Sequence, residues 1–208
     1  MKFIHSDQTV ERKPPFDFQV HPICFLNKKA KLSIIGLDNA GKSTLMSLLA
    51  DGKLVQHPPT PRPVSREMTL GGVAFTTYDL GGHTHARRLW KDYFPAINGV
   101  VFVVDAADAE RLAEAKVELT AVLEDDLISD IPVLILGNKT DKRESIGMEN
   151  LIQQLDIQRH LTKMNDGLYS YNKEDKYHRK GECKLFMCSM LKREGYGDAF
   201  RWLANQIP

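Results

Sequence analysis

The sequence predicts an α/β fold in three layers, with a mostly parallel six-stranded sheet flanked by helices. Apolar, largely β-branched runs at 31–35, 100–104 and 131–136 indicate buried strands of a parallel sheet. Segments with apolar residues at helical spacing alternate with these runs, and polar loop motifs stand at the strand ends. This alternation is typical of a sheet covered by helices on both faces.

Length and composition narrow the class of protein. A chain of 208 residues suits one domain with a full core, and its formal net charge of +1 indicates no nucleic-acid partner. The sequence has no apolar run long enough to cross a membrane and no signal-peptide core. The cysteines at 24, 183 and 188 lack C-x-x-C spacing, which favours reduced thiols and argues against structural zinc.

A glycine-rich loop follows the first predicted strand and precedes a helix. The stretch from Gly36 to Ser43 has the phosphate-loop pattern G-x-x-x-x-G-K-S. Its two glycines let successive N–H groups point into one concavity, and the helix start adds positive potential. We expect Lys42 to reach the β- and γ-phosphates and Ser43 to ligate Mg²⁺. The Asp38 carboxylate should point away from the phosphates or act through the metal or water.

Two later segments offer further groups for the same ligand. Thr60 lies in a stiff connection with prolines at 58, 59, 61 and 63, and it could complete a Mg²⁺ shell or be an ordinary loop threonine. Strands at 68–70 and 73–78 are predicted, with a hairpin turn at 71–72. A D-x-x-G motif follows them, in which Asp79 can hold Mg²⁺ through water and Gly82 can turn its N–H onto a γ-phosphate.

The predicted strand at 131–136 leads into an N-K-x-D motif that can read a base. The Asp141 carboxylate can accept two hydrogen bonds from guanine, whereas adenine would leave it unpaired and buried. Asn138 can support the base edge, and the stem of Lys139 can cover one ring face. The last predicted strand ends at Cys188 and Ser189, where main-chain N–H groups could meet the guanine O6.

Other segments allow two interpretations. The apolar residues of the arm at 1–30 indicate either shallow membrane insertion or packing on the body. A helix at 85–94 is predicted, with Arg87 on a solvated face. A helix at 148–162 precedes a polar excursion at 165–184, which is either a solvated loop or a basic docking patch. Asp198 is expected to cap the last helix.

Residues 31–208 resemble a Ras-like small GTPase with a P-loop GTPase fold, the G domain. The resemblance is closer to the Sar-type GTPases of the COPII coat, which are related to the ADP-ribosylation factors. The resemblance depends on the sequence segments at 36–43, 75–83, 86–91, 135–141 and 186–189. The resemblance implies a switch that hydrolyses GTP, slowly without an activating protein, and controls COPII vesicle budding in transport from the endoplasmic reticulum to the Golgi.

The resemblance also implies residue roles and partners. GTP or GDP would contact Asp38, Asn39, Ala40, Gly41, Lys42, Ser43, Thr44, Gly82, Asn138, Lys139, Asp141, Cys188 and Ser189. Mg²⁺ would be held by Ser43, Thr60 and Asp79, and His83 would orient the attacking water. The implied partners are a GTPase-activating coat subunit, a membrane-bound exchange factor and coat proteins. The implied location is cytoplasmic, peripheral on endoplasmic reticulum and Golgi membranes.

Several alternatives remain open at this stage. The family's N-terminus is typically an amphipathic helix, whereas prolines at 14, 15 and 22 interrupt it here. The chain could instead be another ADP-ribosylation-factor-like GTPase. It could also be a GTP-binding adaptor that barely hydrolyses, like the β subunit of the signal-recognition-particle receptor. A P-loop small-molecule kinase is disfavoured by the N-K-x-D motif.

Overall fold

Strands and helices alternate along the chain in a computed structural model that describes residues 28–207 apart from 56, 59, 61, 71, 72 and 163–178. The strands are β1 (Lys28–Ile35), β2 (Val64–Leu70), β3 (Val73–Asp79), β4 (Gly99–Asp105), β5 (Val133–Asn138) and β6 (Cys183–Met187). The α-helices are α1 (Lys42–Asp51), α2 (Thr84–Arg87), α3 (Trp90–Tyr93), α4 (Leu112–Leu123), α5 (Met148–Leu155) and α6 (Tyr196–Gln206). Short 3₁₀ helices lie at Phe94–Ala96, Ala109–Arg111 and Asp126–Ile128.

The strands form one six-stranded sheet in the order β2-β3-β1-β4-β5-β6. The β2–β3 pair is antiparallel, and the other neighbouring pairs are parallel. The prediction of a mostly parallel six-stranded sheet is therefore confirmed. Because β1, β3, β4 and β5 run in the same direction, the loops that follow them meet at one edge of the sheet, where ligands of open α/β folds bind.

The core lies in two layers, one on each face of the sheet. In β4, Val101 and Val103 pack into the layer that contains α1 and α6. The alternate residues Val100, Phe102 and Val104 point to the other face and pack into the layer that contains α4 and α5. Both faces of this strand are thus buried, which explains its continuous apolar sequence and confirms the three-layer prediction. Among the described residues, no helix is long and apolar enough to cross a bilayer.

Three predicted helices differ from those observed. The helix predicted at 85–94 is broken into α2, α3 and a 3₁₀ turn, with Trp90 buried but Leu89 42% exposed. The helix predicted to reach 162 ends at Leu155, because Asp156 adopts a left-handed conformation with φ of 55°. Helix α6 is capped by Gly195 rather than Asp198, which lies in the first turn and accepts a hydrogen bond from Arg201 at 2.7 Å.

Some predictions fall on residues that the structure does not describe. Strand β1 begins at Lys28, three residues before the proposed start of the domain, and the rest of the arm at 1–27 lies outside the described residues. The turn at 71–72 and the greater part of the excursion at 165–184 also lie outside them. The interpretations of these segments remain predictions.

Candidate nucleotide-binding site

The loop between β1 and α1 has the backbone that its glycines predict. Gly36 and Gly41 adopt φ values of 130° and 107°, and Asn39 is left-handed at 62°. A Cβ on Gly41 would lie 2.4 Å from Nδ2 of Asn138, so a larger residue would push the two loops apart. Helix α1 begins at Lys42. The predicted strand–loop–helix context is therefore present, with the N-terminal end of a helix at the loop.

The charged side chains of this loop face different partners. The Lys42 Nζ is buried and donates to the main-chain oxygen of Leu37 at 2.8 Å. Burial lowers the pKa of Lys42 to about 8, although the charges of Asp79 and Asp38 oppose the shift. The Asp38 carboxylate accepts a hydrogen bond from Arg111 at 2.8 Å, and this bond keeps the pKa of that carboxyl low. A phosphate in the loop would give Lys42 an anionic partner in place of a carbonyl.

Three oxygen-bearing side chains from separate segments converge beside the phosphate loop. The Ser43 hydroxyl lies 2.9 Å from the Thr60 hydroxyl and donates to Asp79 Oδ2 at 2.6 Å. Thr60 also donates to that oxygen, at 3.2 Å. Asp79 is 3% exposed, and its other oxygen, Oδ1, is buried with no hydrogen-bond partner among the described residues. These hard oxygen ligands, including an unsatisfied carboxylate oxygen, fit Mg²⁺.

Gly82 and His83 follow β3 and lie close to the phosphate loop. A Cβ on Gly82 would lie 2.1 Å from the main-chain nitrogen of Asp38, so only glycine allows this approach. The His83 Nδ1 accepts a hydrogen bond from the Ala86 main-chain N–H at 3.3 Å. In the neutral ring the proton is therefore on Nε2, which makes that nitrogen a hydrogen-bond donor.

The N-K-x-D loop is joined to its surroundings by its own side chains. Asn138 donates to the Ala40 main-chain oxygen at 2.8 Å and accepts from the Met190 N–H at 3.2 Å. The Lys139 ammonium pairs with Asp105 at 2.6 Å, which holds its stem along the loop. The Asp141 carboxylate accepts a hydrogen bond from the Ser189 hydroxyl, and this bond fixes the orientation of the carboxylate. The loop is therefore preorganised for a ligand that donates to Asp141.

The segment after β6 departs from its predicted role. The main-chain N–H groups of Cys188 and Ser189 donate to Gly137 and Glu194 at 2.9 and 3.0 Å, so neither is available for the guanine O6. The two residues act instead as supports, because the Cys188 thiol lies 3.9 Å from Asn138 Oδ1 and Ser189 binds Asp141. Burial raises the pKa of the Cys188 thiol to about 12, as expected for a packing residue rather than a nucleophile.

A cavity of about 620 Å³ connects the three loops. The predicted site residues that line it are Asp38, Asn39, Gly41, Lys42, Ser43, Thr44, Thr60, Gly82, His83, Asn138, Lys139 and Asp141. The other four predicted residues, Ala40, Asp79, Cys188 and Ser189, do not line the cavity but are bonded to residues that do. The convergence that the sequence predicts is therefore present, and the volume suits a nucleotide.

Arg87 and His57 lie near the cavity, but their contacts were not predicted. The interpretation of Arg87 as solvated is wrong, because its side chain is 8% exposed and is held by two glutamates of α4. The i, i+4 spacing of these glutamates was a usable signal, since neighbouring like charges favour a cation between them. His57 also lines the cavity and lies 2.7 Å from the buried Ser47 hydroxyl, a contact that no local pattern indicates.

The combination of fold and loops defines a class of protein. Phosphate loops occur in kinases and in GTPases, but a carboxylate preorganised in an N-K-x-D loop selects a base with paired N–H donors, which is guanine. The oxygen cluster at Ser43, Thr60 and Asp79 fits the Mg²⁺ that accompanies nucleoside triphosphates. The chain is a small GTPase, a class whose members use GTP, GDP and Mg²⁺.

Comparison with known proteins identifies the family. The family model of the ADP-ribosylation factor family matches residues 18–207. A Giardia intestinalis protein named small COPII coat GTPase SAR1 is 39% identical over 181 residues, covering 86% of this chain and 91% of that protein. Small COPII coat GTPase SAR1B of Dictyostelium discoideum is 41% identical over 180 residues, covering 86% and 87%. ADP-ribosylation factor 3 of Arabidopsis thaliana is 31% identical over 183 residues, covering 88% and 91%.

A solved structure agrees with the sequence comparisons. The Arl6 BBS3 small GTPase of Trypanosoma brucei, with bound nucleotide analogue GppNp, superposes with a TM-score of 0.71 at 28% identity. The match covers 87% of this chain and all of that one. The chain therefore belongs to the ADP-ribosylation factor family, as the resemblance found in its sequence predicted.

Proposed function

We propose that this protein is a GTP-hydrolysing switch that controls COPII coat assembly and vesicle budding in transport from the endoplasmic reticulum to the Golgi. The observation that carries the proposal is the placement of His83 and Gly82 at the same cavity as Lys42, with the Ser43–Thr60–Asp79 cluster beside it. The coat assignment is supported by relatives named for that coat at 39–41% identity, against 31% for an ADP-ribosylation factor.

The contacts support a binding role for each of the loops. The N–H groups of the phosphate loop, from Asp38 to Thr44, and the Lys42 ammonium would hold the β- and γ-phosphates. Asp141 would accept the two guanine N–H bonds, with Asn138 and Lys139 shaping the loop around the base. Ser43, Thr60 and Asp79 would hold Mg²⁺, which supplies charge neutralisation at the phosphates when bound.

His83 would position the attacking water rather than remove its proton. Its Nδ1 already accepts the Ala86 N–H, so in the neutral ring Nε2 carries the proton and can only donate. A donor can fix the oxygen of water but cannot act as a general base. Phosphoryl transfer depends mainly on geometry and charge, so unaided hydrolysis should be slow, on the order of 10⁻⁴ to 10⁻³ per second. An activating coat subunit would supply the missing stabilisation, and a membrane-bound exchange factor would release GDP.

The residues at 28–208 would form the GTPase domain, since β1 begins at Lys28, and the arm at 1–27 would make the contact with the membrane. The apolar residues in that arm, Phe16, Phe18, Val20, Ile23, Phe25 and Leu26, support this role by composition. On this proposal the protein is cytoplasmic with GDP and peripheral on endoplasmic reticulum and Golgi membranes with GTP.

Substitution of His83 tests the catalytic half of the proposal. We expect His83→Ala to abolish the stimulation of phosphate release by a COPII GTPase-activating subunit, while GTP affinity stays close to wild type. The matched control is His85→Ala, because His85 is an exposed histidine two residues away. Wild-type stimulation in His83→Ala would reject the role of His83. Absence of stimulated hydrolysis in the wild type would favour a non-hydrolysing adaptor.

Liposome flotation tests the membrane and coat half. The full chain should bind liposomes of endoplasmic reticulum composition with a non-hydrolysable GTP analogue and remain unbound with GDP. Purified COPII coat proteins should then float only with the GTP-analogue sample. A variant with Phe16→Ser and Phe18→Ser should lose flotation but keep nucleotide binding. Nucleotide-independent flotation would contradict the switch, and recruitment of no COPII protein would favour another ADP-ribosylation-factor-like function.

A further inference from the structure

The Arg87 side chain is buried between the segment that carries Gly82 and helix α4. Its Nε donates to the main-chain oxygen of Gly82 at 2.6 Å. Its Nη1 donates to Glu118 at 2.9 Å, and its Nη2 donates to Glu114 at 2.6 Å. Each nitrogen of the guanidinium therefore has an acceptor, so the planar group is held in a single orientation.

Glu114 connects this arginine to the phosphate loop. Its second oxygen accepts from Arg111 Nε at 2.9 Å. Arg111 in turn donates to the side chain and the main-chain oxygen of Asp38, at 2.8 and 3.1 Å. Hydrogen bonds from Arg111 and Arg87 lower the pKa of Glu114, which keeps this carboxylate charged between the two arginines. One carboxylate of α4 therefore holds the phosphate loop and the Gly82 segment together.

The hydrogen bond from Arg87 to the Gly82 carbonyl does more than attach α2 to α4. The Gly82 carbonyl belongs to the same planar peptide as the His83 nitrogen. A hydrogen bond to that oxygen therefore also restrains the position and orientation of the His83 main chain. On its other side Gly82 packs against the phosphate loop, where a Cβ would lie 2.3 Å from the Leu37 carbonyl carbon. The peptide is thus held between Arg87 and the loop.

We propose that Arg87 is a positioning residue for GTP hydrolysis, which acts by holding the Gly82–His83 peptide against the phosphate loop. This inference rests on the proposed role of His83. Misplacement of a catalytic group by about 1 Å can lower a rate by roughly 100-fold, so an anchor of this peptide affects hydrolysis without touching the substrate. Glu118 acts through Arg87, because it fixes the guanidinium, whereas Glu114 acts through both Arg87 and Arg111.

The first test is the full chain with Arg87→Lys, which keeps the charge but cannot make the three separate bonds. In a preloaded one-to-one complex with GTP, we expect the single-turnover rate constant without partners to fall by about tenfold or more. GDP affinity is expected to fall less than the rate constant, because Arg87 contacts no residue of the N-K-x-D loop and its ion pair with Asp38 of the phosphate loop is long, at 3.9 Å. The matched control, Arg88→Lys, changes the exposed neighbouring arginine and should keep the wild-type rate.

A second variant separates positioning from folding. Glu118→Gln removes one charged acceptor of Arg87 and lies outside the cavity, so we expect a smaller decrease in the rate constant with an unchanged melting temperature. Because Glu118 acts through Arg87, the double variant Arg87→Lys with Glu118→Gln should be no slower than Arg87→Lys alone. Additive losses would overturn the inference, since they would mean that the two residues act independently.

The remaining outcomes are also decisive. A wild-type rate in Arg87→Lys would overturn the inference, as would equal losses of rate, GDP affinity and melting temperature, which indicate a purely structural role. If the wild type itself does not hydrolyse GTP, the proposed function fails separately. Hydrogen–deuterium exchange with a non-hydrolysable analogue then still reports on the anchor. Faster exchange at residues 81–86 in Arg87→Lys supports it, and unchanged exchange overturns it.

Discussion

The Asn138 amide donates a hydrogen bond to the main-chain oxygen of Ala40 at 2.8 Å, which joins the base-reading loop to the phosphate loop across the edge of the sheet. Both residues are buried, and the Asn138 side-chain oxygen accepts the Met190 N–H on its other side. One side chain therefore sets the distance between the two loops that would hold the phosphates and the base of a single nucleotide.

The Asn138→Asp substitution tests this linkage. The carboxylate has nearly the same shape but offers no donor, so two acceptors would face each other at the Ala40 oxygen. A buried acceptor left unpaired costs about 1–3 kcal/mol, and more when charged. We expect GDP affinity to fall by at least about tenfold, measured by fluorescent-nucleotide displacement. An affinity equal to that of the wild type would show that the two loops hold their positions independently.

The base assignment predicts a change of nucleotide preference in Asp141→Asn. The amide of asparagine would present a donor to a guanine amine, whereas it can pair with the carbonyl of xanthine. Loss of two charge-assisted hydrogen bonds, each worth about 1.5–3 kcal/mol, should lower GTP affinity by at least about 100-fold. Competition between GTP and xanthosine triphosphate measures the effect. Retained preference for GTP would count against Asp141 as the base reader.

The sheet and the three loops were predictable because their signals are local. A buried strand such as β4 shows its apolar run directly, and a phosphate loop depends on glycines at a fixed spacing. Parallel strands then bring the loops at their carboxyl ends together, so the sequence alone assigns Lys42 and Asp141 to one cavity, which both of them line.

The rest of the site depends on contacts between distant segments. Arg87 is buried because α4 brings Glu114 and Glu118 beside it. The spacing of the two glutamates indicates that α4 can hold a cation, but it does not indicate which cation. Cys188 and Ser189 also depend on distant segments, because their N–H groups donate to the main-chain oxygens of Gly137 and Glu194. Their place at the end of the last strand predicted that Cys188 and Ser189 lie at the site, but their contacts with Asn138 and Asp141 depend on the tertiary structure.

His160 makes the stability of the protein depend on pH. Burial, followed by the charge of Arg159, lowers the pKa of this imidazole below its ordinary value of 6.5. Its Nε2 accepts a hydrogen bond from Arg159 at 3.1 Å, which the protonated ring could not do. The unfolded chain therefore binds the proton more readily. The stabilising contribution is complete above about pH 6.5 and is lost as the pH falls below that value.

Urea denaturation across this pH range measures the effect at saturating GDP. We expect the free energy of unfolding of the wild type to decrease as the solution is acidified, and His160→Gln to flatten this dependence. Gln keeps an acceptor for Arg159 and does not titrate. His85→Gln, at an exposed position, is the control and should keep the wild-type slope. An identical slope in His160→Gln would assign the pH dependence to other groups.

Arg179 holds together the turn after α4. Its guanidinium donates to the main-chain oxygens of Leu123, Ile128 and Ile131 at 3.1, 2.9 and 2.7 Å. These oxygens lie at the end of α4, at the end of the 3₁₀ turn and in the link from that turn to β5, where the regular main-chain ladder of a helix or strand is interrupted. Replacing Arg179 with Met would leave all three without this charged donor, at a cost of about 3 kcal/mol in the free energy of unfolding.

Urea denaturation of Arg179→Met at saturating GDP measures that loss. Arg179→Lys should lie between Met and the wild type, since an ammonium reaches fewer of the three oxygens than the guanidinium fork. Lys180→Gln is the matched control, because the neighbouring Lys180 is exposed and its ion pair with Asp130 is long, at 3.5 Å. Exposed pairs contribute about 0–1 kcal/mol, so the control should be close to wild type. A loss in Arg179→Met no larger than in this control would mean that packing alone holds the turn.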